Sequence, residues 1–171
     1  MLKPGSTAPD IDLPLTIDAR FVLSDQTPDA YTMLVFYRGK HCPICKRYLE
    51  ELGGRLEDFT SRGINVFAIS MDSEDRAMVV DSEWKTGNLP LVHSMTEEQA
   101  REWGLYISEK REGSEEPDVF SEPGLFLLKP DRSVYLAITQ NMPITRPSLD
   151  ELVEGIDFLS DKHYPTRGTK S

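Results

Sequence analysis

Cys42 and Cys45 are the chain's two cysteines, and they stand three residues apart in Cys42-Pro43-Ile44-Cys45. Their surroundings constrain the chain more than any other feature. Upstream lies the continuous apolar run Tyr31-Thr32-Met33-Leu34-Val35-Phe36-Tyr37, whose length and composition suit a buried central strand. The turn Arg38-Gly39-Lys40-His41 then delivers the chain to the cysteines. Pro43 favours the first position of a helix, because its fixed φ fits there and its missing N–H costs nothing. Ile44, Tyr48, Leu52, Leu56 and Phe59 recur at helical spacing and mark one face of that helix. Gly53-Gly54 should weaken or bend it, and Gly63 should end it.

The rest of the chain alternates in the same way. Ile11–Leu15 and Arg20–Leu23 flank Asp18-Ala19 and read as a small hairpin. Ile64–Ser70 is the next strand. Ser73 or Asp72 caps a helix over about 74–86, closed by Gly87. Leu91–Ser94 is a short strand, and Thr96 with Gln99 forms a capping box for a helix ending near Gly104. Residues 108–118 are charged and turn-rich, and are expected to be a surface loop. Gly124–Leu128 and Val134–Thr139 form a hairpin across Pro130-Asp131. Ser148 caps a last helix carrying Leu149, Leu152, Val153, Ile156 and Leu159 on one stripe. This order predicts an α/β fold with a central mixed β-sheet, helices on both faces and an N-terminal β-hairpin. A single domain over residues 1–171 is expected, with disordered tails at 1–5 and 165–171.

Charge and composition narrow the partners. The net charge of −10 argues against nucleic acid, whose affinity comes largely from Lys and Arg neutralising phosphates. No window approaches the roughly 20 apolar residues of a membrane span. Met1-Leu2-Lys3-Pro4-Gly5 lacks the apolar core of a secretory signal, so a cytoplasmic location is expected. In a reducing compartment, two closely spaced cysteines suggest a redox site or part of a metal site, not a structural staple.

The chemistry of the pair follows from its place on the helix. A sulfur at the N-cap faces unpaired backbone N–H groups and the positive end of the helix dipole. That environment favours thiolate over thiol and yields a nucleophile near neutral pH. Three residues on, Cys45 lies on the same side of the first turn, where it can attack a mixed disulfide formed at Cys42. Lys40 and His41 are expected to add cationic potential. Two other readings are open. The pair could be half of a zinc site, with ligands from His41, His93, His163 or carboxylates. It could also be two small buried hydrophobes. No metal and no cofactor are predicted.

The stretch Phe36-Tyr37-Arg38-Gly39-Lys40-His41-Cys42-Pro43-Ile44-Cys45 resembles the active-site segment of the peroxiredoxin family, the alkyl hydroperoxide reductase/thiol-specific antioxidant (AhpC/TSA) group. Pro4-Gly5 with Ala8-Pro9 resembles the family's opening. Gly124–Leu128 and Pro143-Ile144-Thr145-Arg146 resemble its closing half. The resemblance implies a thioredoxin-like fold, antioxidant chemistry and frequent homodimers. It also implies a peroxide or disulfide substrate and a thioredoxin- or glutathione-type reductant.

The departures are specific. The family's Pro-x-x-x-Thr-x-x-Cys motif here has Arg38 for the proline and Cys42 for the threonine, and keeps its final cysteine as Cys45. The arginine expected before the Gly-Leu-Phe strand is replaced by Pro123. Thioredoxins hold a cis-proline at that location, so Glu122-Pro123-Gly124 resembles a thioredoxin arrangement, with an open backbone edge for an extended substrate. Arg146 matches the family's second arginine and could steady Cys45 as thiolate; it could equally be a surface charge before the last helix. Tyr37 is either a hydrogen-bonding neighbour or strand packing. Asp72 is a proton acceptor or a helix cap. Trp84 and Trp103 are core or interface residues. The leading expectation is a thiol–disulfide oxidoreductase in which Cys42 attacks, Cys45 resolves and Pro123 shapes the substrate edge. The alternative is a thiol peroxidase in which Cys45 forms a sulfenic acid and Cys42 condenses with it. A third, from another class, is a non-enzymatic binding or zinc module.

Overall fold

The computed structural model describes residues 2–170. At Met1 and Ser171 the expected tails lie outside the described residues. The elements follow the predicted order closely. The hairpin β1 (Asp12–Pro14) and β2 (Arg20–Val22) leads to β3 (Tyr31–Phe36), α1 (Pro43–Gly54), α2 (Leu56–Thr60) and β4 (Ile64–Ile69). Then come α3 (Glu74–Glu83), β5 (Leu91–Val92), α4 (Glu97–Glu102), β6 (Ile107–Glu109) and β7 (Val119–Ser121). The chain closes with β8 (Gly124–Leu128), β9 (Val134–Thr139) and α5 (Leu149–Asp161).

The central sheet has the order β5-β4-β3-β8-β9. β3, β4 and β5 run parallel, while β8 is antiparallel to both β3 and β9. Both faces are covered, so β3 and β8 are apolar at nearly every position instead of alternating. Successive side chains on these strands point to opposite faces. Met33, Val35, Leu125 and Leu127 join the core that includes Leu49, Leu52, Val80, Leu152 and Ile156 from α1, α3 and α5. Leu34, Phe36, Phe126 and Leu128 join the second core with the N-terminal hairpin and α4. There the rings of Phe36, Trp103 and Phe126 meet edge-on or tilted, at centroid distances of 5.1–5.7 Å. Trp103 and Trp84 are both core residues.

Local signals placed the helix ends. Thr96 and Gln99 make both bonds of the capping box, and Ser148 Oγ accepts the Glu151 N–H at 3.1 Å. The face of α1 is rotated from the predicted one: Cys45, Leu49 and Leu52 are fully buried, whereas Ile44 and Tyr48 are half-buried. The reason is that the sulfur of Cys45 belongs to the core, so the stripe begins there. The helix breaks at Arg55, just past the Gly-Gly pair. Residues 108–118 are not simply a surface loop. β6 and β7 pair antiparallel, with Ile107 opposite Ser121, and only the segment between them is irregular. That hairpin escaped the sequence because its strands are three residues long and charged at the tip.

Candidate active site

The site lies where the C-terminal end of β3 turns into α1. Cys42 is the N-cap of α1, with extended dihedrals (φ −103°, ψ 100°), and Pro43 occupies the first turn. The Cys42 sulfur accepts the backbone N–H of Cys45 at 3.2 Å, so one orphan donor of the helix start ends on it. The two Cα atoms are 5.2 Å apart and the sulfurs are joined in a disulfide. Cys42 is 1% exposed and Cys45 0%.

The connecting turn is held from beneath by Asp72, which follows β4. Its Oδ2 accepts the Lys40 N–H at 2.6 Å, and its Oδ1 accepts from Arg76 Nε at 2.8 Å. Gly39 has φ +119°, and a Cβ there would run into the Asp72 carboxylate, so this position requires glycine. Asp72 is therefore neither a helix cap nor a free proton acceptor. Ser73 is the N-cap of α3, without a side-chain bond. Tyr37 is fully buried, its ring 6.1 Å from that of Trp84, and its hydroxyl has no protein hydrogen-bond partner. Burial drives its phenol well above the ordinary value, so it is strand packing, not an acid.

His41 corrects an expectation. Burial, followed by the positive charges of Arg38 and Arg76, lowers its pKa to about 4. It is a neutral imidazole at pH 7, its ring against Phe120 at 4.7 Å. Lys40 is exposed. The cation nearest the sulfurs is instead Arg146, which reaches in from the segment before α5. Its Nη2 donates to Cys45 Sγ at 2.9 Å, and its guanidinium lies 5.2 Å over the Tyr48 ring. The Tyr48 hydroxyl donates to Pro147 O at 3.0 Å, and Gln140 Nε2 donates to Ile144 O at 3.1 Å, so the segment is held at both ends. Burial lowers the Arg146 pKa to about 10, which leaves it charged at neutral pH.

Arg38 is a further site residue, one that sequence reasoning noted only as a departure from a motif. It pairs with Glu116 (3.4 Å) and Glu122 (3.2 Å), both buried, and lies 4.7 Å over Phe120. Glu116 also accepts from Arg111 at 2.9–3.0 Å, and this contact first, then the Arg111 backbone N–H, lowers its pKa to about 2. The β6–β7 hairpin is thereby tied to the cysteine turn. Nothing in a run of charged residues tells which glutamate returns to the core, so no sequence signal was present.

Pro123 is buried but trans: every peptide bond among the described residues is trans. The backbone beside it is also occupied. Glu122 N–H donates to Tyr106 O at 2.7 Å, and Pro123 O accepts from Gln140 N–H at 3.0 Å. The open thioredoxin-like edge is absent here, because β8 continues its pairing with β9 up to this point. What Pro123 does border is a cavity of about 10 Å³, shared with Tyr48, Gly124, Gln140 and Arg146. That is about the space of one water-sized group. Arg146 Nε and Nη1 are buried without a protein partner, as are His41 Nε2 and Ser121 Oγ. Such atoms are uncommon in native interiors, and Arg146, which carries two of them, lines the cavity. Among the described residues no three His, Cys, Asp or Glu gather to hold a metal ion. No helix among them is long and apolar enough to cross a membrane.

A thioredoxin-like frame carrying two bonded sulfurs at a helix start, one of them against a guanidinium, defines a thiol-based oxidoreductase. The sequence profile of the AhpC/TSA family matches residues 4–137, and the chain belongs to that family. The chain is 24% identical to 1-Cys peroxiredoxin A of Oryza sativa subsp. japonica, over 92% of this chain and 73% of the relative. It is also 24% identical to alkyl hydroperoxide reductase C of Helicobacter pylori, over 98% of this chain and 81% of that one. In structure it resembles a cysteine-to-serine mutant of peroxiredoxin 6 of Arenicola marina: TM-score 0.77, 20% identity, covering 96% of this chain and 76% of the other.

Proposed function

We propose that this chain is a thiol peroxidase in which Cys45 meets the peroxide and Cys42 closes the disulfide. The observation that carries this reading is the 2.9 Å contact from Arg146 Nη2 to Cys45 Sγ. A charged donor on a sulfur favours its thiolate. The remaining N–H groups of Arg146 are free to stabilise charge developing on oxygen. The Cys45 thiolate attacks one peroxide oxygen, the O–O bond breaks, and the alkoxide or hydroxide leaves and takes a proton from water. Cys45 becomes a sulfenic acid. The Cys42 thiolate then attacks the Cys45 sulfur and displaces hydroxide, which is protonated to water. The burial of both cysteines and the size of the cavity favour a small oxidant over a protein disulfide. A thiol reductant returns the pair to its reduced state, and a cytoplasmic setting would supply one.

A second reading keeps Cys42 as the attacking sulfur in disulfide exchange with Cys45 resolving, and is favoured by the place of Cys42 at the helix N-cap. Stopped-flow oxidation of the reduced protein by hydrogen peroxide and by a small disulfide separates the two. Rapid peroxide oxidation that survives Cys42→Ser, with sulfenic acid accumulating, and vanishes in Cys45→Ser supports the peroxidase. Loss of peroxide reactivity in Cys42→Ser, with fast reaction toward the disulfide in Cys45→Ser, supports exchange.

A further inference from the structure

Arg146 reaches Cys45 from a stretch of chain with little to hold it. Among the described residues, no backbone–backbone hydrogen bond involves positions 141–147, which lie between the end of β9 and the cap of α5. Apolar packing does not hold the stretch either: Met142 and Ile144 are 56% and 54% exposed, and Asn141 and Thr145 are exposed as well. Few buried apolar contacts and few backbone hydrogen bonds make a segment open easily. Arg146 is nevertheless half-buried, with one guanidinium nitrogen 2.9 Å from the Cys45 sulfur.

Thr145, the residue before that arginine, has φ +60°. This left-handed region is a genuine outlier for a β-branched residue, because its Cβ crowds the following carbonyl. Such an outlier persists only where its surroundings over-determine it. At Thr145 the constraint comes chiefly from one side chain. Gln140 Nε2 donates to Ile144 O at 3.1 Å and to Thr145 O at 2.5 Å, while Thr145 Oγ1 donates to Ile144 O at 2.7 Å. Carbonyls only accept, so both amide protons of Gln140 are taken up by these two. Gln140 is itself fixed to the sheet, because its backbone N–H donates to Pro123 O at 3.0 Å.

We infer that Gln140 is a positioning residue: its amide clasps the Ile144 and Thr145 carbonyls, holds Thr145 in the left-handed conformation and so aims Arg146 at Cys45. The inference rests on the peroxidase reading of the pair and adds the residue that keeps its cationic donor in place. A donor stabilises developing charge only from a preorganised position. Without the clasp, Thr145 relaxes to a negative φ, the chain changes direction one residue before Arg146, and the guanidinium leaves the sulfur.

The test places Gln140→Met in the full chain carrying Cys42→Ser, so that Cys45 is the one thiol oxidised and titrated. Methionine keeps the length of the side chain and removes both donors. Two quantities are read: the rate of oxidation by hydrogen peroxide, and the pH midpoint of the Cys45 thiolate from its ultraviolet absorbance. The oxidation rate should fall by about tenfold to 10²-fold, as for a misplaced group. The midpoint should rise by about one pH unit as the cation moves off the sulfur. Adding Thr145→Gly should return the larger part of both, because glycine adopts a positive φ without steric cost. A native rate and midpoint in Gln140→Met overturn the inference, as does a double variant no better than the single one. If the single variant does not fold, the double variant decides alone: a midpoint near that of the Cys42→Ser parent supports the clasp, and one raised as in Arg146→Met overturns it. A midpoint that shifts and recovers in a chain that peroxide does not oxidise supports the clasp and overturns only the peroxidase reading.

Discussion

Arg146 and Cys45 meet at 2.9 Å although they stand 101 positions apart in the chain. The contact is made because β8 and β9 return the chain to the edge of β3, and the segment after β9 then crosses the first turns of α1. Replacing Arg146 by methionine keeps the packing over Tyr48 and removes the charge. The expected outcome is a peroxide oxidation rate lower by about 10²–10³, the usual loss for one donor to developing charge. The Cys45 thiol pKa should rise in the same variant. Stopped-flow rates measured across pH check both, since a purely structural role would lower the amplitude without moving the pH profile.

His41 sets a pH window for stability. Its folded pKa is about 4, against an unfolded value near 6.5. Between these values the unfolded chain binds more protons than the folded one. The stability associated with neutral His41 is complete above pH 6.5 and is lost as pH falls to 4. His41→Gln should remove that part of the pH dependence. Thermal unfolding of both proteins at intervals from pH 7 to 4 measures it; parallel curves would mean that His41 titrates normally.

Glu116 should act at lower pH. Its pKa falls from 4.5 to about 2, chiefly through Arg111. The ionised form contributes stability that is full above pH 4.5 and lost as pH drops toward 2. Glu116→Gln should cost about 1–3 kcal/mol at neutral pH, the typical penalty for leaving buried donors short of a partner. It should also loosen the β6–β7 hairpin over the cysteine turn, which amide exchange at Lys110 and Arg111 would register.

Gly53 and Gly54 should respond to alanine with opposite signs. A Cβ at Gly53 would run into the backbone carbonyl of Thr86, whereas a Cβ at Gly54 meets nothing within 4 Å. Gly54→Ala should stabilise by about 0.5–1 kcal/mol through helix propensity. Gly53→Ala should destabilise by roughly 1–3 kcal/mol, because backbone must shift to admit the methyl group. Chemical denaturation of the two single variants gives the comparison directly.

Much of the frame was legible in the chain itself, because its signals are local. The apolar run 31–37, Pro43 behind Cys42, the Thr96/Gln99 box and the Ser148 cap each act within one strand or one helical turn, and the structure bears each of them out. The same locality placed both cysteines on the opening turn of α1. What surrounds them was decided by tertiary structure. Arg146 was balanced between a thiolate partner and a surface charge until the sheet order brought it to Cys45. His41 reads as a cation in sequence and is neutral because burial and two arginines oppose its proton. Pro123 reads as a thioredoxin-like proline, yet it is trans, with its backbone spent on Tyr106 and Gln140. Periodicity and capping are written within a few residues, so sequence determined them. Charge pairing and desolvation depend on which distant segments a mixed sheet sets side by side, and only the folded chain decides that.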